Sequence, residues 1–198
     1  MKYQVVAIMG AAGSGKDTIM QGVLAKLPYL HEMVSCTTRP PREGEKNGVN
    51  YFFLTPEEFG DKVLNNEMLE CTVFNDWFYG TSYDSLRLDC INIGVFNPAG
   101  IEFLAARDNI NLTVFYVRAS DKTRLLRQLN REQDPDVHEI IRRFNADFLD
   151  FDDEAFTFKY EQVINEKKED LSKSVNEIVG YISSHLPALG QDLIKNQT

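Results

Sequence analysis

The sequence predicts an α/β fold in which a parallel sheet is flanked by helices and carries two additions, a small β-rich insert and a helical lid. Three observations predict it. An apolar run, a glycine-rich loop and a segment of helical periodicity follow one another within the first 27 residues. Strand-like and helix-like segments then alternate through the outer parts of the chain, whereas the stretch from 33 to 80 is dominated by short β-type runs.

The first strand is read at 3–9, where Tyr3, Val5, Val6, Ala7, Ile8 and Met9 make the apolar run of a strand buried on both faces. A helix over about 15–27 follows from Ile19, Met20, Val23, Leu24 and Leu27, and Pro28 blocks its continuation. A polar loop with short strands covers 33–54. Thr55-Pro56-Glu57-Glu58 opens the next helix with an N-cap, a first-turn proline and the glutamate of a capping box. Residues 69–74 and 77–80 read as a hairpin about Asn75-Asp76, and Ser82 as the cap of a short helix through Leu88. A strand near 91–96, a helix from Pro98 to about Arg107 and a strand from Leu112 to Val117 come next. Ser120 caps a helix to about Asn130, and a second helix runs from Pro135 to about Asp150. A strand at Val163-Ile164 and a helix from Asp170 to His185 complete one domain. Its core is expected at 1–32, 82–119 and 151–198, the insert at 33–81 and the lid at 120–150.

A chain of 198 residues with 43% hydrophobic content is long enough for one buried core. No apolar run reaches the ~18 residues of a membrane span, and Met1-Lys2 leads into strand-like sequence without a signal pattern, so a soluble, cytosolic protein is expected. Cys36, Cys71 and Cys90 are widely spaced and odd in number, which points to buried thiols rather than disulfides or a zinc site. The net charge of −9 argues against a nucleic-acid track, since such surfaces neutralise many phosphates with clustered Lys and Arg.

Gly10-Ala11-Ala12-Gly13-Ser14-Gly15-Lys16-Asp17-Thr18 has the spacing of a phosphate-binding P-loop. Gly13 and Gly15 let the backbone amides turn toward a phosphate, the helix N-terminus adds positive partial charge, and Lys16 brings a full one. A fold of the P-loop NTPase type follows. Asp17 stands where the pattern has Ser or Thr. Either Asp17 or the neighbouring Thr18 holds a magnesium ion, directly or through water, or Asp17 serves only the electrostatics of the helix start.

A second constellation lies in Ser35-Cys36-Thr37-Thr38-Arg39-Pro40-Pro41-Arg42-Glu43-Gly44-Glu45-Lys46-Asn47-Gly48-Val49-Asn50-Tyr51-Phe52-Phe53. Consecutive prolines stiffen it, guanidinium forks of Arg39 and Arg42 match phosphate oxygens, and Tyr51 adds a neutral donor. Over nearly its whole length the chain resembles the guanylate kinase family, whose monophosphate loop has the same Ser, Thr-Thr-Arg, Pro-Arg, Gly-Glu, Gly and Tyr-x-Phe elements. The resemblance implies that Ser35, Arg39, Arg42, Tyr51 and Tyr79 hold the acceptor phosphate and that Glu70 faces guanine. Chemistry supports the last role independently, because a carboxylate offers two acceptors and guanine two adjacent donors, N1–H and the 2-amino group. Thr81, in Tyr79-Gly80-Thr81, matches a position that donates to guanine O6.

The match departs at Ile93-Gly94-Val95-Phe96-Asn97-Pro98-Ala99-Gly100, where the family pattern is Asp-x-Asp-x-x-Gly. Val95 and Asn97 occupy the two aspartate positions. Asn97 can still accept from a 2-amino group, but Val95 cannot, and metal ligation would then move to Asp17. Arg127 and Arg131, four apart at a helix end, are similar to the two lid arginines that close over ATP. Arg142 or Arg143, with Arg143 favoured, matches a third that bridges donor and acceptor, and Asn165 matches a position near adenine.

The implied reaction is phosphoryl transfer from ATP, with magnesium, to GMP or dGMP. It needs no general base, because the acceptor phosphate is largely ionised near pH 7, its second pKa being about 6. Two alternatives stay open: a (deoxy)nucleoside monophosphate kinase of broader range, and an inactive guanylate-kinase-like module that binds phosphopeptides. The implied partners are small nucleotides, without nucleic acid or membrane.

Overall fold

Five strands, β1 (Tyr3–Met9), β2 (His31–Glu32), β7 (Ile91–Val95), β8 (Ile110–Arg118) and β9 (Glu161–Ile164), form one sheet in the order β2-β7-β1-β8-β9. The structure is a computed structural model that describes residues 2–41, 44–74, 76–131 and 133–186. All neighbouring strands in this sheet are parallel. The alternation of a strand, with both faces covered, explains why β1 is apolar and buried from Val5 to Met9. Val6 and Ile8 pack on one side with Ile19 and Val23 of α1 (Lys16–Lys26) and Ile178 and Ile182 of α6 (Asp170–His185). Val5, Ala7 and Met9 face the other side, toward Ile101 and Leu104 of α3 (Pro98–Ala105) and Tyr116 of β8.

The insert forms a second sheet of β4 (Phe52–Phe53), β3 (Cys36–Thr37), β6 (Trp77–Ser82) and β5 (Met68–Phe74), in that order. Below it lies α2 (Pro56–Leu64), whose Phe59 is buried with Met68 and Cys36. The capping box forms as the sequence indicates: Thr55 Oγ1 accepts from Glu58 N at 3.1 Å and Glu58 Oε2 accepts from Thr55 N at 2.7 Å. Two helices connect β8 to β9, α4 (Asp121–Leu129), capped by Ser120, and α5 (Val137–Asp150), capped by Asp136.

Several local expectations change. The helix predicted from Ser82 to Leu88 is a single 3-10 turn over Tyr83–Ser85, and Ser82 makes no side-chain cap bond. Buried Asn92 is the cause. Its carboxamide accepts from Arg87 N and donates to Arg87 O, both at 2.8 Å, and donates to Gln4 O at 3.0 Å, which holds the segment extended against the sheet edge. α4 ends at Leu129 with Asn130 as its C-cap, so Arg131 lies past the helix and does not share its face with Arg127. Asn75 of the hairpin turn and Arg42 of the arginine loop lie outside the described residues. Cys36 is buried while Cys71 and Cys90 are half-buried, and all three are unpaired. Among the described residues no helix is long and apolar enough to cross a membrane.

Candidate active site

The glycine loop joins β1 to α1 at the carboxyl edge of the main sheet, where ligands bind in open α/β folds. Gly13 (φ 80°) and Gly15 (φ 90°) are left-handed, a backbone that L side chains rarely adopt. Neither has room for a Cβ, which would lie 2.5 Å from Arg124 O at Gly13 and 2.4 Å from Asn165 Nδ2 at Gly15. The loop's carbonyls are held from behind. Arg127 Nη1 donates to Gly13 O at 3.3 Å and Ser14 O at 3.1 Å, and Asn165 Nδ2 donates to Ser14 O at 2.7 Å. A trans peptide sets its N–H opposite its C=O, so anchoring Ser14 O turns Gly15 N–H toward the concave side. Asn165 is 4% exposed and its Oδ1 has no protein partner. Lys16 Nζ lies 3.7 Å from Asp17 Oδ2, and Asp17 and Thr18 are exposed.

The second group lies in the insert. Arg39 Nη2 reaches both carboxylate oxygens of Glu45 at 2.9 Å, and its guanidinium lies 5.6 Å from the Tyr51 ring centre and 5.8 Å from that of Phe53. Tyr51 meets Tyr79 edge-on at 6.1 Å. Burial pushes the Tyr51 phenol up, and the Asp17 carboxylate adds to the effect. Asp17 therefore connects the loop electrostatically to the insert. From the lid, Glu139 accepts from Arg142 Nε at 2.7 Å and Arg143 Nε at 2.6 Å. Bonds from Arg142 first, then Arg143, hold this carboxyl down at about 2. The charge of Arg142 also interacts with Tyr79.

Glu70 and Thr81 are registered partners on β5 and β6, and both are buried. Burial, opposed by the Thr81 hydroxyl and amide, pushes Glu70 up to about 7. Thr81 Oγ1 also pairs with Ser35 Oγ at 3.1 Å. Gly100 leaves room for the carboxylate, since a Cβ there would lie 3.2 Å from Glu70 Oε2. Asn97 is exposed and caps α3, accepting from Gly100 N at 2.8 Å and donating to Thr72 Oγ1 at 3.3 Å. Val95 sits beside Ile8 in the sheet and packs against the α1 core.

The structure thus brings Asn165 against the loop of Gly13, Gly15, Lys16 and Asp17, and within the insert it joins Ser35 and Glu70 to Thr81, and Arg39 and Tyr79 to Tyr51. Arg131 is exposed, past the end of α4. Among the described residues no group of three His, Cys, Asp or Glu forms a metal cluster. One exposed carboxylate and one hydroxyl at the helix start still suit magnesium, which keeps water and takes its other ligands from phosphates.

Two residues escape sequence reasoning. Arg124 is 8% exposed and pairs with Asp147, whose carboxylate accepts from Ala12 N at 2.9 Å. Their only linear signal is a place among helix charges, which ordinarily face solvent.

A guanylate kinase family model matches residues 2–184. The guanylate kinase of Thermotoga maritima is 36% identical over 185 residues, 90% of this chain and 87% of that one. That of Clostridioides difficile is 30% identical over 192 residues, 92% and 88% of the two chains. The match to the guanylate kinase of Bacteroides fragilis is higher but local, 48% over 79 residues, so this chain spans 39% of that protein's length. A crystal structure of guanylate kinase from Anaplasma phagocytophilum superposes with a TM-score of 0.63 at 21% identity, covering 92% of this chain and 86% of that one, and shares the fold. By the reach of the family match and the identity to near full-length relatives, the chain belongs to the guanylate kinase family.

Proposed function

We propose that this protein transfers the terminal phosphoryl group of ATP to GMP or dGMP. The observation that supports the reading is that one chain carries both a left-handed glycine loop with a lysine at the edge of the main sheet and a buried carboxylate–hydroxyl pair suited to guanine. Gly13, Gly15, Lys16 and Thr18 hold the ATP phosphates, and Asn165, beside Gly15, lies at the position that the family resemblance sets near adenine. Ser35, Arg39, Arg42, Tyr51 and Tyr79 hold the acceptor phosphate. Glu70 accepts from guanine N1–H and the 2-amino group, Thr81 donates to O6, and Asn97 stands at the mouth beside them.

An oxygen of the acceptor phosphate attacks the γ-phosphorus in line, the bond to the β,γ-bridging oxygen breaks, and ADP leaves. Lys16, Arg127, Arg131 and Arg143, with Arg142 beside it, stabilise charge on the transferring group, a role worth roughly 10³ to 10⁵ in rate for an arginine in related chemistry. Arg142 and Arg143 are parked on Glu139 and exchange that carboxylate for phosphate as the lid closes and excludes water. Asp17 and Thr18 would hold magnesium directly or through water. When bound, that ion neutralises charge on the β- and γ-oxygens. Residues 33–81 form the acceptor insert and 120–150 the lid, on a core of 1–32, 82–119 and 151–198, and the reaction is assigned to the cytoplasm.

Neither a broader monophosphate kinase nor an inactive phosphopeptide module is favoured: the P-loop glycines and Lys16 are intact, and relatives matching nine tenths of the chain are named guanylate kinases. A coupled assay of ADP formation with GMP, dGMP, AMP, CMP and TMP tests the reading. Turnover confined to the guanine acceptors supports it, and equal turnover with CMP or AMP contradicts it.

A further inference from the structure

We propose that Arg124 and Asp147 are positioning residues for the ATP site, which fix the leading half of the glycine loop by holding the peptide groups on both sides of the Ala12 Cα.

Ala12 N donates to Asp147 Oδ2 at 2.9 Å, and Ala12 O accepts from Arg124 Nε at 3.1 Å and Gln128 Nε2 at 3.4 Å. Arg124 Nη2 closes the circuit on the same Asp147 oxygen, while Nη1 donates to Asp121 Oδ1 at 3.1 Å. The guanidinium also lies 4.7 Å from the Phe144 ring centre. Both charged side chains are nearly buried, at 10% and 13% exposed. Three elements therefore meet at one residue: the loop, α4 and α5.

Geometry gives the arrangement a consequence for phosphate binding. The carbonyl of Ala12 and the amide of Gly13 share one trans peptide and point in opposite directions. Drawing Ala12 O back onto Arg124 turns Gly13 N–H to the loop's other side, as Arg127 and Asn165 do for Gly15 through Ser14 O. The close packing of Gly13 on the Arg124 backbone admits no shift toward α4. Charge gives a second consequence. Asp147 would set a buried negative charge beside the ATP phosphates, and Arg124 compensates it.

The inference rests on the assignment of this loop to ATP, and ATP binding by calorimetry together with steady-state kinetics separates the two. Wild type that fails to bind ATP contradicts the assignment itself. If wild type binds, Arg124→Met is expected to raise the KM for ATP by roughly 10- to 100-fold, the worth of a lost hydrogen bond from a charged group, with the KM for GMP changed by less than about twofold. Arg124→Lys restores part of the loss. Adding Asp147→Asn to Arg124→Met recovers only part of the ATP binding, because the uncompensated charge is gone while the bond to Ala12 O is still missing. Asp147→Ala alone, which removes the acceptor for Ala12 N and unties Arg124, serves where Arg124→Met does not fold, and is expected to weaken ATP binding while sparing GMP. Equal losses for both nucleotides, additive losses in the double variant, or a lowered Tm with unchanged kinetic constants would overturn the inference.

Discussion

Glu70 and Thr81 face each other across two antiparallel strands, so that a buried carboxylate and a buried hydroxyl line one wall. Thr81 in turn pairs with Ser35, which ties this buried pair to the segment that carries Arg39. A carboxylate in such surroundings is unfavourable until donors reach it. Guanine supplies two on adjacent atoms, whereas adenine sets a ring-nitrogen lone pair against it.

Glu70→Gln is expected to lower the ratio of kcat/KM for GMP over AMP by roughly 100-fold, since a site built to accept hydrogen bonds discriminates strongly and an amide no longer does so. Steady-state assays with both acceptors check this, and an unchanged ratio removes Glu70 from base recognition.

The raised pKa of Glu70, about 7, carries a sign. Its folded pKa exceeds the unfolded value, so the stability it contributes is complete below about 4.3 and is lost as pH rises through 7. Unliganded wild type should therefore lose about 1–3 kcal/mol relative to Glu70→Gln between pH 4 and pH 8. Denaturant titrations at both values measure it, and GMP should remove the difference by supplying donors to the ionised form.

Lys16→Ala should lower kcat by about 10³-fold while leaving the KM for GMP within a few-fold, because the lysine acts on charge that develops in transfer. Equal effects on turnover and on GMP binding would contradict a transition-state role.

Gly15→Ala combines a left-handed backbone with a Cβ that meets Asn165. We expect a destabilisation of about 1–3 kcal/mol and loss of ATP binding. Thermal unfolding and calorimetry check both, and a Gly15→Ala variant of native Tm and affinity would show that the loop is less constrained than described.

Asp17→Ala should raise the magnesium concentration for half-maximal rate by about tenfold, and Asp17→Ser should restore it by returning a hydroxyl to the helix start. An unchanged magnesium titration would leave Asp17 with helix electrostatics alone.

Much of this site could be read from the chain because residue type and local geometry coincide. Gly13 and Gly15 announce positive φ, Thr55 and Glu58 announce a helix start, and the apolar run of β1 announces a central strand. Glu70 was legible through the family resemblance, with support from the chemistry of a carboxylate facing two donors, since nothing local to it shows that the strand is buried. The failures arise where distant residues decide. Asn92 overrides the capping signal at Ser82, and the bond between Ala12 and Asp147 spans 135 residues. Arg124, Arg127 and Arg131 look alike as helix charges, yet the fold buries the first, sets the second on the loop and leaves the third exposed.

The most direct test of the central claim is the acceptor profile of the purified protein with ATP and magnesium. Formation of ADP together with GDP or dGDP, with AMP, CMP and TMP slower by roughly 100-fold or more, is the predicted result. Comparable rates with a pyrimidine monophosphate, or hydrolysis of ATP without phosphorylated acceptor, would contradict it.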